Sequence, residues 1–486
     1  MWITDVIRKV VRRLFPVNVL EQKLNIRIAS SSAMERAISE WRQMYRNEAW
    51  WLGGDSDVRS QNLPATIANE FARLILTEFS FEMEGSERAE YIGEQLQKFL
   101  IHDISNRMEY WCADGGVVMK PFVVDSDSEE DSEEDRPAIR IDYIGADRFY
   151  PTAFDSNGEI TGAIFIETKL IDHKLYTRVE YHNLKGKHYT ITNMAFVTEK
   201  MDGDISTGMT AENQFNEEVP LDAVPEWAGI SPVVEMENIR RPFFVYVKTP
   251  MANNIDPDSP LGVSVYSRAV DVIMESDKQY SRTLWEYEAK EAAIDADADL
   301  FKKDVNGNPI LPEGKERLFR TYDFDNPTGK TEAIKAYSPE IRDASMLNEQ
   351  EALLRKIEFL VGLAYGTISN PTFVDKTATE VLASKQRSFT VVRRMQQAWD
   401  EAFDSVIDIM DMLCDLYEII PAGPIEKTCT WGDGVLEDLD KEYTRRWQMV
   451  ASNKLKPEKF LAWYFGCSEE EAAEMMPQIE EFPAYE

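Results

Sequence analysis

Apolar residues recur every three or four positions in three long segments, which predicts three long helices. The first covers Val263–Ala292, with one gap in its apolar face at Asp277. The second is predicted to have Ser338 as its cap and to run from 339 to 365. The third extends from 378 to about 420 and would span about 60 Å at 1.5 Å per residue. Because a helix of that length is hard to bury in one globular domain, we expect it to cross an assembly.

Shorter amphipathic patterns predict helices towards both ends of the chain. The basic segment Trp2–Phe15 predicts a helix that docks on its own fold or on a partner subunit, with a membrane-surface helix as the alternative. Ser32 and Glu35 form a capping-box pattern, and another helix is predicted to start at Asn62, with Pro64 in its first turn. Near the carboxyl terminus, polar helices are predicted at Lys441–Val450, Pro457–Phe465 and Ser468–Met475.

Between Val117 and Val247 the period changes to two, which predicts β-strands. The turn Asp155–Gly158 is typical of a hairpin. The run 125–135, DSDSEEDSEED, is so strongly acidic that it repels itself, and we expect a solvated loop there. Helices and strands that lie in separate parts of the chain predict an α+β fold.

Composition limits the classes of function. The chain has 486 residues with 43% hydrophobic content, enough for a substantial core, and a formal net charge of −34. A broad DNA-gripping surface is excluded, since it requires clustered Lys and Arg. No apolar run is long enough for a transmembrane helix, and the basic start lacks the pattern of a secretory signal, so we expect a protein made and kept in a cytoplasm.

Motifs for enzymatic chemistry are incomplete. The TGKT at 328–331 has Phe324 where a phosphate-binding loop needs glycine, and the GDG at 432–434 is followed by Glu437 at the third glycine position of a dinucleotide fingerprint. A nucleophile-elbow pattern fails at Tyr266. The four cysteines and four histidines lack metal-site spacing. We therefore predict no enzyme, no metal and no cofactor.

Four blocks of sequence carry a resemblance to a known family. They are NLPATIANEFARL (62–74), YIGADRFYPTAFDSNGEITGAIF (143–165), NNIDPDSPLGVSVYSRAVDVI (253–273) and DKTATEVLASK (375–385). In sequence and in order they resemble the portal proteins of tailed bacteriophages, particularly the type found in phages of Gram-positive bacteria. The segment 377–380, TATE, which follows a broken helix and opens a long one, is the most specific feature.

The resemblance implies a portal-protein fold with an α/β wing, a two-helix stem, a small α/β clip, a long kinked wing helix and a helical crown. The implied divisions are the wing at 1–255, the first stem helix at 256–292, the clip at 293–338, the second stem helix at 339–365, the tunnel loop at 366–377, the long wing helix and return to the wing at 378–435, and the crown at 436–486.

The resemblance also implies two sets of site residues. In the tunnel loop, the residues expected to face DNA are Ser369, Asn370, Thr372, Phe373, Val374, Asp375 and Lys376. In the clip, those expected to face the motor or adaptor are Lys302, Lys303, Asn306, Asn308, Lys315 and Arg317. From the residues alone, the alternative interpretation is that the segment assigned to the tunnel loop is an ordinary helix–helix connection.

The implied partners follow from a ring at one capsid vertex. We expect a homo-oligomeric ring, a dodecamer in the capsid, around weakly and non-specifically bound double-stranded DNA. The terminase large subunit, the head–tail adaptor and the major capsid and scaffolding proteins would contact this ring, and no membrane is expected. The protein would be assembled in the host cytoplasm and reside in the virion.

Two other functions compete with this hypothesis. Another structural head protein, such as a minor capsid or connector subunit, would lack the order of helix, clip, helix and broken helix. A nucleotide-driven packaging enzyme would need the phosphate loop that Phe324 interrupts.

Overall fold

The computed structural model describes most of the chain in two compact units, Met1–Trp431 and Gly432–Glu486. The chain is 45% helical and 26% strand, which confirms the α+β class. The described residues are 24, 26–53, 57–124, 137–172, 174–198, 217–291, 293–297, 300–303, 309–311, 319–322, 334–337, 340, 342–371, 378–432, 439–452, 454–465, 468, 472–473 and 475. The predictions for 2–15, 125–135 and 328–331 lie outside them.

The helices of the first unit are α1 (Ser32–Tyr45), α2 (Leu63–Ile75), α3 (Glu87–Phe99), α4 (Ile104–Asp114), α5 (Val270–Ala289), α6 (Asp343–Val361) and α7 (Ala378–Leu416). Those of the second unit are α8 (Leu439–Ala451) and α9 (Pro457–Phe465).

The strands are β1 (Ser80–Glu84), β2 (Gly116–Val124), β3 (Ala138–Gly145), β4 (Phe149–Phe154), β5 (Ile160–Ile171), β6 (Lys174–Lys185), β7 (His188–Thr198), β8 (Glu217–Val219), β9 (Val233–Met236), β10 (Val245–Lys248), β11 (Ala293–Asp297), β12 (Lys302–Lys303), β13 (Pro309–Ile310), β14 (Phe319–Tyr322), β15 (Ile334–Tyr337) and β16 (Glu426–Thr430).

The period-two region contains strands, as predicted, and most of the described strands form antiparallel sheets. The largest sheet has the order β4-β5-β6-β7-β8, with β9 also paired to β7, and a second sheet has the order β10-β2-β3. A separate small sheet places β11 between β14, which is parallel to it, and β15, which is antiparallel. The turn between β4 and β5 is held by the carboxylate of Asp155, which accepts from the backbone N–H groups of Asn157 and Glu159 at 2.8 and 2.9 Å.

Local signals explain some of the helix ends. The cap of α1 is Ser31, one residue before the predicted position, and its hydroxyl accepts from the backbone N–H of Met34 at 3.3 Å. Helix α4 ends at Gly115, with a φ of +82°. A Cβ at this glycine would lie 2.4 Å from the backbone carbon of Val263, so only glycine permits this close approach of two backbones.

The main core of the first unit gathers side chains from α1, α2, α4, β2 and the second half of α7. Trp111 of α4 meets Trp399 of α7 edge to face, with ring centroids 5.7 Å apart. The indole N–H of Trp111 donates to the carbonyl of Val247 at 3.0 Å, so this buried polar group is satisfied. The core therefore fixes α7 against the β10-β2-β3 sheet.

All three long helices differ from their predicted extents. The second runs from Asp343 to Val361 instead of 339–365, with Arg342 as its cap and Gly362 after its end. The first stem helix begins at Val270 rather than Val263, because residues 263–266 are buried in non-helical backbone, where the N–H of Val265 donates to the carbonyl of Cys112 at 3.0 Å. Helix α7 has 39 residues, four fewer at its end than predicted. Its buried residues from Val392 to Cys414 lie in the core of the first unit, contrary to the expectation that a helix of this length is hard to bury in one domain.

The second unit contains an aromatic cluster between α8 and α9. Tyr443 packs edge to face on Phe460 at 5.4 Å, and the guanidinium of Arg446 lies 4.3 Å from the ring centroid of Trp463. The third predicted helix, Ser468–Met475, is described only in part. Across the described ranges of both units, no helix combines the length and apolar character that crossing a bilayer requires.

Candidate functional site

The two predicted stem helices pair with each other in antiparallel orientation. Near the end of α5, the carboxylate of Glu286 accepts from Arg342, at the start of α6, at 3.1 and 2.9 Å. About two turns further along α6, the amide of Gln350 donates to the hydroxyl of Ser276 at 2.8 Å. Hydrogen bonds from Arg342 and Lys290 lower the pKa of Glu286 to about 2, so this carboxylate stays ionised at neutral pH.

A buried acid attaches α5 to the body of the first unit. Asp277 is 1% exposed, and its carboxylate accepts from the indole N–H of Trp51 at 3.0 Å and from the backbone N–H of Gln61 at 2.9 Å. Burial raises the pKa of Asp277, and these hydrogen bonds offset part of the rise. The gap that the sequence shows in the apolar face of α5 is therefore an anchoring position.

A second buried acid organises the chain where α6 ends. Glu358 is fully buried, and its carboxylate accepts from the backbone N–H groups of Gly366 (3.1 Å), Ile368 (2.7 Å) and Ser369 (2.8 Å) and from the hydroxyl of Ser369 (2.9 Å). Gly362 and Gly366 have φ values of +89° and +87°, the left-handed conformation that favours glycine. We call residues 362–371, together with Glu358, the elbow.

The elbow contains the first part of the predicted tunnel loop. Ser369 is buried with its hydroxyl bound to Glu358, whereas Asn370 is exposed and its backbone N–H donates to Glu351 at 3.0 Å. Pro371 is exposed as well. The other residues assigned to DNA contact lie outside the described residues: Thr372, Phe373, Val374, Asp375 and Lys376.

The predicted clip includes the small sheet of β11, β14 and β15. In this sheet the guanidinium of Arg320 donates to Asp295 at 2.8 Å and lies 4.1 Å from the ring centroid of Tyr337. Lys302 and Lys303 are exposed on β12, which pairs with β13. The remaining residues assigned to the motor-facing surface lie outside the described residues: Asn306, Asn308, Lys315 and Arg317.

The stem helices also expose apolar side chains. Trp285 on α5 is 65% exposed and Leu347 on α6 is 46% exposed. Trp285 borders a groove of about 730 Å³, which Leu284 and Val58 also line. A large exposed tryptophan beside a groove with a mixed apolar and charged lining is typical of a protein–protein contact.

Sequence reasoning did not single out Glu358, although a signal was present. Glu358 stands in IEFLV, on the same helical face as Val361 and next to the buried Ile357. A charged side chain on such a face requires buried partners. Within the described ranges, no group of three or more His, Cys, Asp or Glu side chains is arranged to hold a metal ion.

No protein-family model matches this chain, and a search of curated proteins gives no match either.

Proposed function

We propose that this chain is the subunit of a bacteriophage portal ring, through which DNA is packaged into the head and later ejected. The observation that carries the proposal is the order of α5, a small separate sheet, α6, the elbow and α7. A paired stem with a small insert at its far end is suited to presenting that insert to a motor or adaptor. Ejection and packaging need a conduit, and the order of elements supports that role better than it supports a catalytic one.

The surface of the stem supports assembly with further copies. Apart from its last turn, α6 is exposed or half-buried, so most of this stem helix is not buried in the core of its own subunit. A closed ring needs a heterologous interface, in which one patch meets a different patch on the next copy. Trp285 and its groove are our candidate for one side of this interface.

The charge of the chain supports a channel that does not hold DNA tightly. At a formal net charge of −34, the field of each subunit repels phosphates over most of its surface. Strong phosphate contacts would hold the duplex in place, whereas weak ones let it slide. The terminase motor would hydrolyse ATP, and this ring would orient the motor.

Negative-stain electron microscopy of the purified chain, beside an ATPase assay, tests the proposal. We expect rings with a central hole and no ATP turnover. A monomer that hydrolyses ATP stoichiometrically would overturn the proposal.

A substitution at Trp285 tests the assembly surface. We expect Trp285→Glu to abolish rings without lowering the thermal midpoint of the monomer, because this side chain is 65% exposed within the subunit. Size-exclusion chromatography with light scattering measures the change. Phe154→Glu, at the tip of a hairpin in the wing, is the control and should leave rings intact; rings that persist in Trp285→Glu would exclude this tryptophan from the interface.

A further inference from the structure

A cavity of about 450 Å³ in the first unit is lined by arginines, although the chain as a whole is strongly acidic. It lies among α1, α4, β2 and β3, away from the stem and the elbow. Arg42 and Arg46 come from α1, Arg107 from α4, and Arg148 from the turn before β4. Its volume falls in the range of roughly 300–1,000 Å³ that small-molecule sites occupy.

One of these arginines is structural and neutralises the acids of the cavity. Arg42 donates to the carboxylate of Asp114 at 2.9 and 2.7 Å and is also ion-paired with Asp147. On α4, Glu109 accepts from the hydroxyl of Tyr45 at 2.6 Å. The carboxylate that lines the cavity, Asp114, is therefore paired with Arg42, which lowers its repulsion of an incoming anion.

The remaining polar side chains that line the cavity can donate hydrogen bonds. Tyr143 is buried, with 9% of its surface exposed. Its hydroxyl has no hydrogen-bond partner among the described residues. Burial raises the pKa of Tyr143, so the hydroxyl keeps its proton. The guanidinium of Arg107 lies 4.4 Å from the centroid of the Tyr143 ring and pairs with Asp103 at 3.0 Å. Arg148 is 4.0 Å from Asp147, and its side chain is 42% exposed.

We propose that this cavity binds a small phosphate-bearing ligand. A buried hydroxyl without a partner is costly in an empty site and becomes satisfied when an acceptor enters. The planar guanidinium group matches the geometry of phosphate oxygens and is the side chain that most often recognises them. The inference goes beyond the proposed function and holds whether or not the chain forms rings.

Isothermal titration calorimetry of the full chain with sodium phosphate, pyrophosphate and ATP tests the proposal. We expect saturable binding of at least one probe. Arg148→Gln should weaken it by about tenfold or more, equivalent to about 1.4 kcal/mol. Tyr143→Phe should weaken it less, and this variant should fold, since it removes only an unsatisfied hydroxyl. Arg36→Gln, on the exposed face of α1, is the control and should bind as the parent chain does.

The result that overturns the proposal is the absence of saturable binding by all three probes, or equal affinity in Arg148→Gln and the parent chain. Competition with a short DNA duplex identifies the source of the phosphate. Displacement of the probe by the duplex would assign the site to the DNA backbone, and unchanged probe binding would assign it to a free phosphate compound.

Discussion

At the scale of single residues, the carboxylate of Glu358 holds a whole turn of backbone in the elbow. It receives three backbone N–H groups and one hydroxyl while fully buried. These donors compensate for the loss of water around the charge. The elbow is therefore a built connection in which one side chain determines the conformation of residues 366–369.

Replacing Glu358 by glutamine keeps the shape of the side chain and removes one hydrogen-bond acceptor. The new NH₂ group would face donors, so we expect the free energy of unfolding to fall by about 2–3 kcal/mol. Urea unfolding measures the change. Glu349→Gln, on the exposed side of α6, is the control, with an expected change within about 0.5 kcal/mol. Equal stability of the two variants would show that the elbow does not depend on this carboxylate.

A second buried network joins the two larger sheets. Lys120 on β2 pairs with Glu180 on β6 at 2.9 Å, and the Nε2 atom of His182 lies 2.5 Å from the other oxygen of Glu180. The Nδ1 atom of His182 is 2.5 Å from the hydroxyl of Tyr189, which accepts from the backbone N–H of Phe243 at 2.9 Å. The tyrosine therefore donates to Nδ1, and the neutral ring donates from Nε2 to Glu180.

This network predicts loss of stability in acid. Burial lowers the pKa of His182 below its ordinary 6.5, although Glu180 acts against that shift. The unfolded chain therefore takes up this proton first, and the free energy of unfolding falls as the pH falls below 6.5. Burial alone would raise the pKa of Glu180, but Lys120, His182 and Arg178 hold it well below 4.5, which adds a further loss below that pH.

The measurement is urea unfolding at several pH values between about 7 and 5, a range around the ordinary histidine pKa. We expect His182→Gln to flatten the slope of the unfolding free energy against pH. His188→Gln, at an exposed histidine on β7, is the control. An unchanged slope in His182→Gln would mean that another group causes the acid sensitivity.

At the scale of elements, the sequence predicted the existence of the long helices better than their limits. The pattern of α5 continues backwards to Val263, because a buried non-helical segment and a buried helical face select the same apolar residues. Only tertiary contacts, such as that of Val265 with Cys112, separate the two cases. The register of β5, β6 and β7 follows from their alternation, but the parallel pairing of β11 with β14 has no local signal.

The polar contact between α5 and α6 predicts the behaviour of the start of α6. We expect Arg342→Gln to speed backbone hydrogen exchange in residues 343–350 by up to about fivefold, since the pair is partly exposed and screened. Residues 351–361 should exchange as before, because Ile357, Glu358 and Val361 are buried. Mass spectrometry of peptides measures the rates. Arg282→Gln, exposed on α5, is the control, and an equal effect of both variants would exclude a specific role of the Glu286–Arg342 pair.

At the scale of the whole molecule, the net charge bears on the ring assembly that we propose. Subunits that each carry a formal charge of −34 repel one another, and added salt screens this repulsion. We expect the fraction of rings to rise between about 0.1 M and about 1 M NaCl, where the screening length falls from about 10 Å to about 3 Å. Analytical ultracentrifugation measures the fraction of the protein that forms rings. Dissociation of rings with increasing salt would indicate an interface held by ion pairs instead.

The sequence could indicate the α+β class and the order of the main elements, but only part of the candidate site. Asp277 was visible as a gap in a helical face. Glu358 was one of 87 acidic residues, and only its place on the apolar face of a helix, beside Ile357 and Val361, distinguishes it from those on the surface. The arginine-lined cavity joins residues from 42 to 148, so its existence depends on the packing of α1, α4 and β3.

The two buried acids of the stem have a mechanical consequence. Asp277 fixes α5 and Glu358 fixes the end of α6, each through hydrogen bonds with a reach of about 3 Å. Torque applied at the far end of this pair reaches the body through those bonds, which hold over small displacements and then break together. The stem should thus resist small displacements and then detach abruptly. Single-molecule pulling would record a sudden rupture in place of gradual stretching.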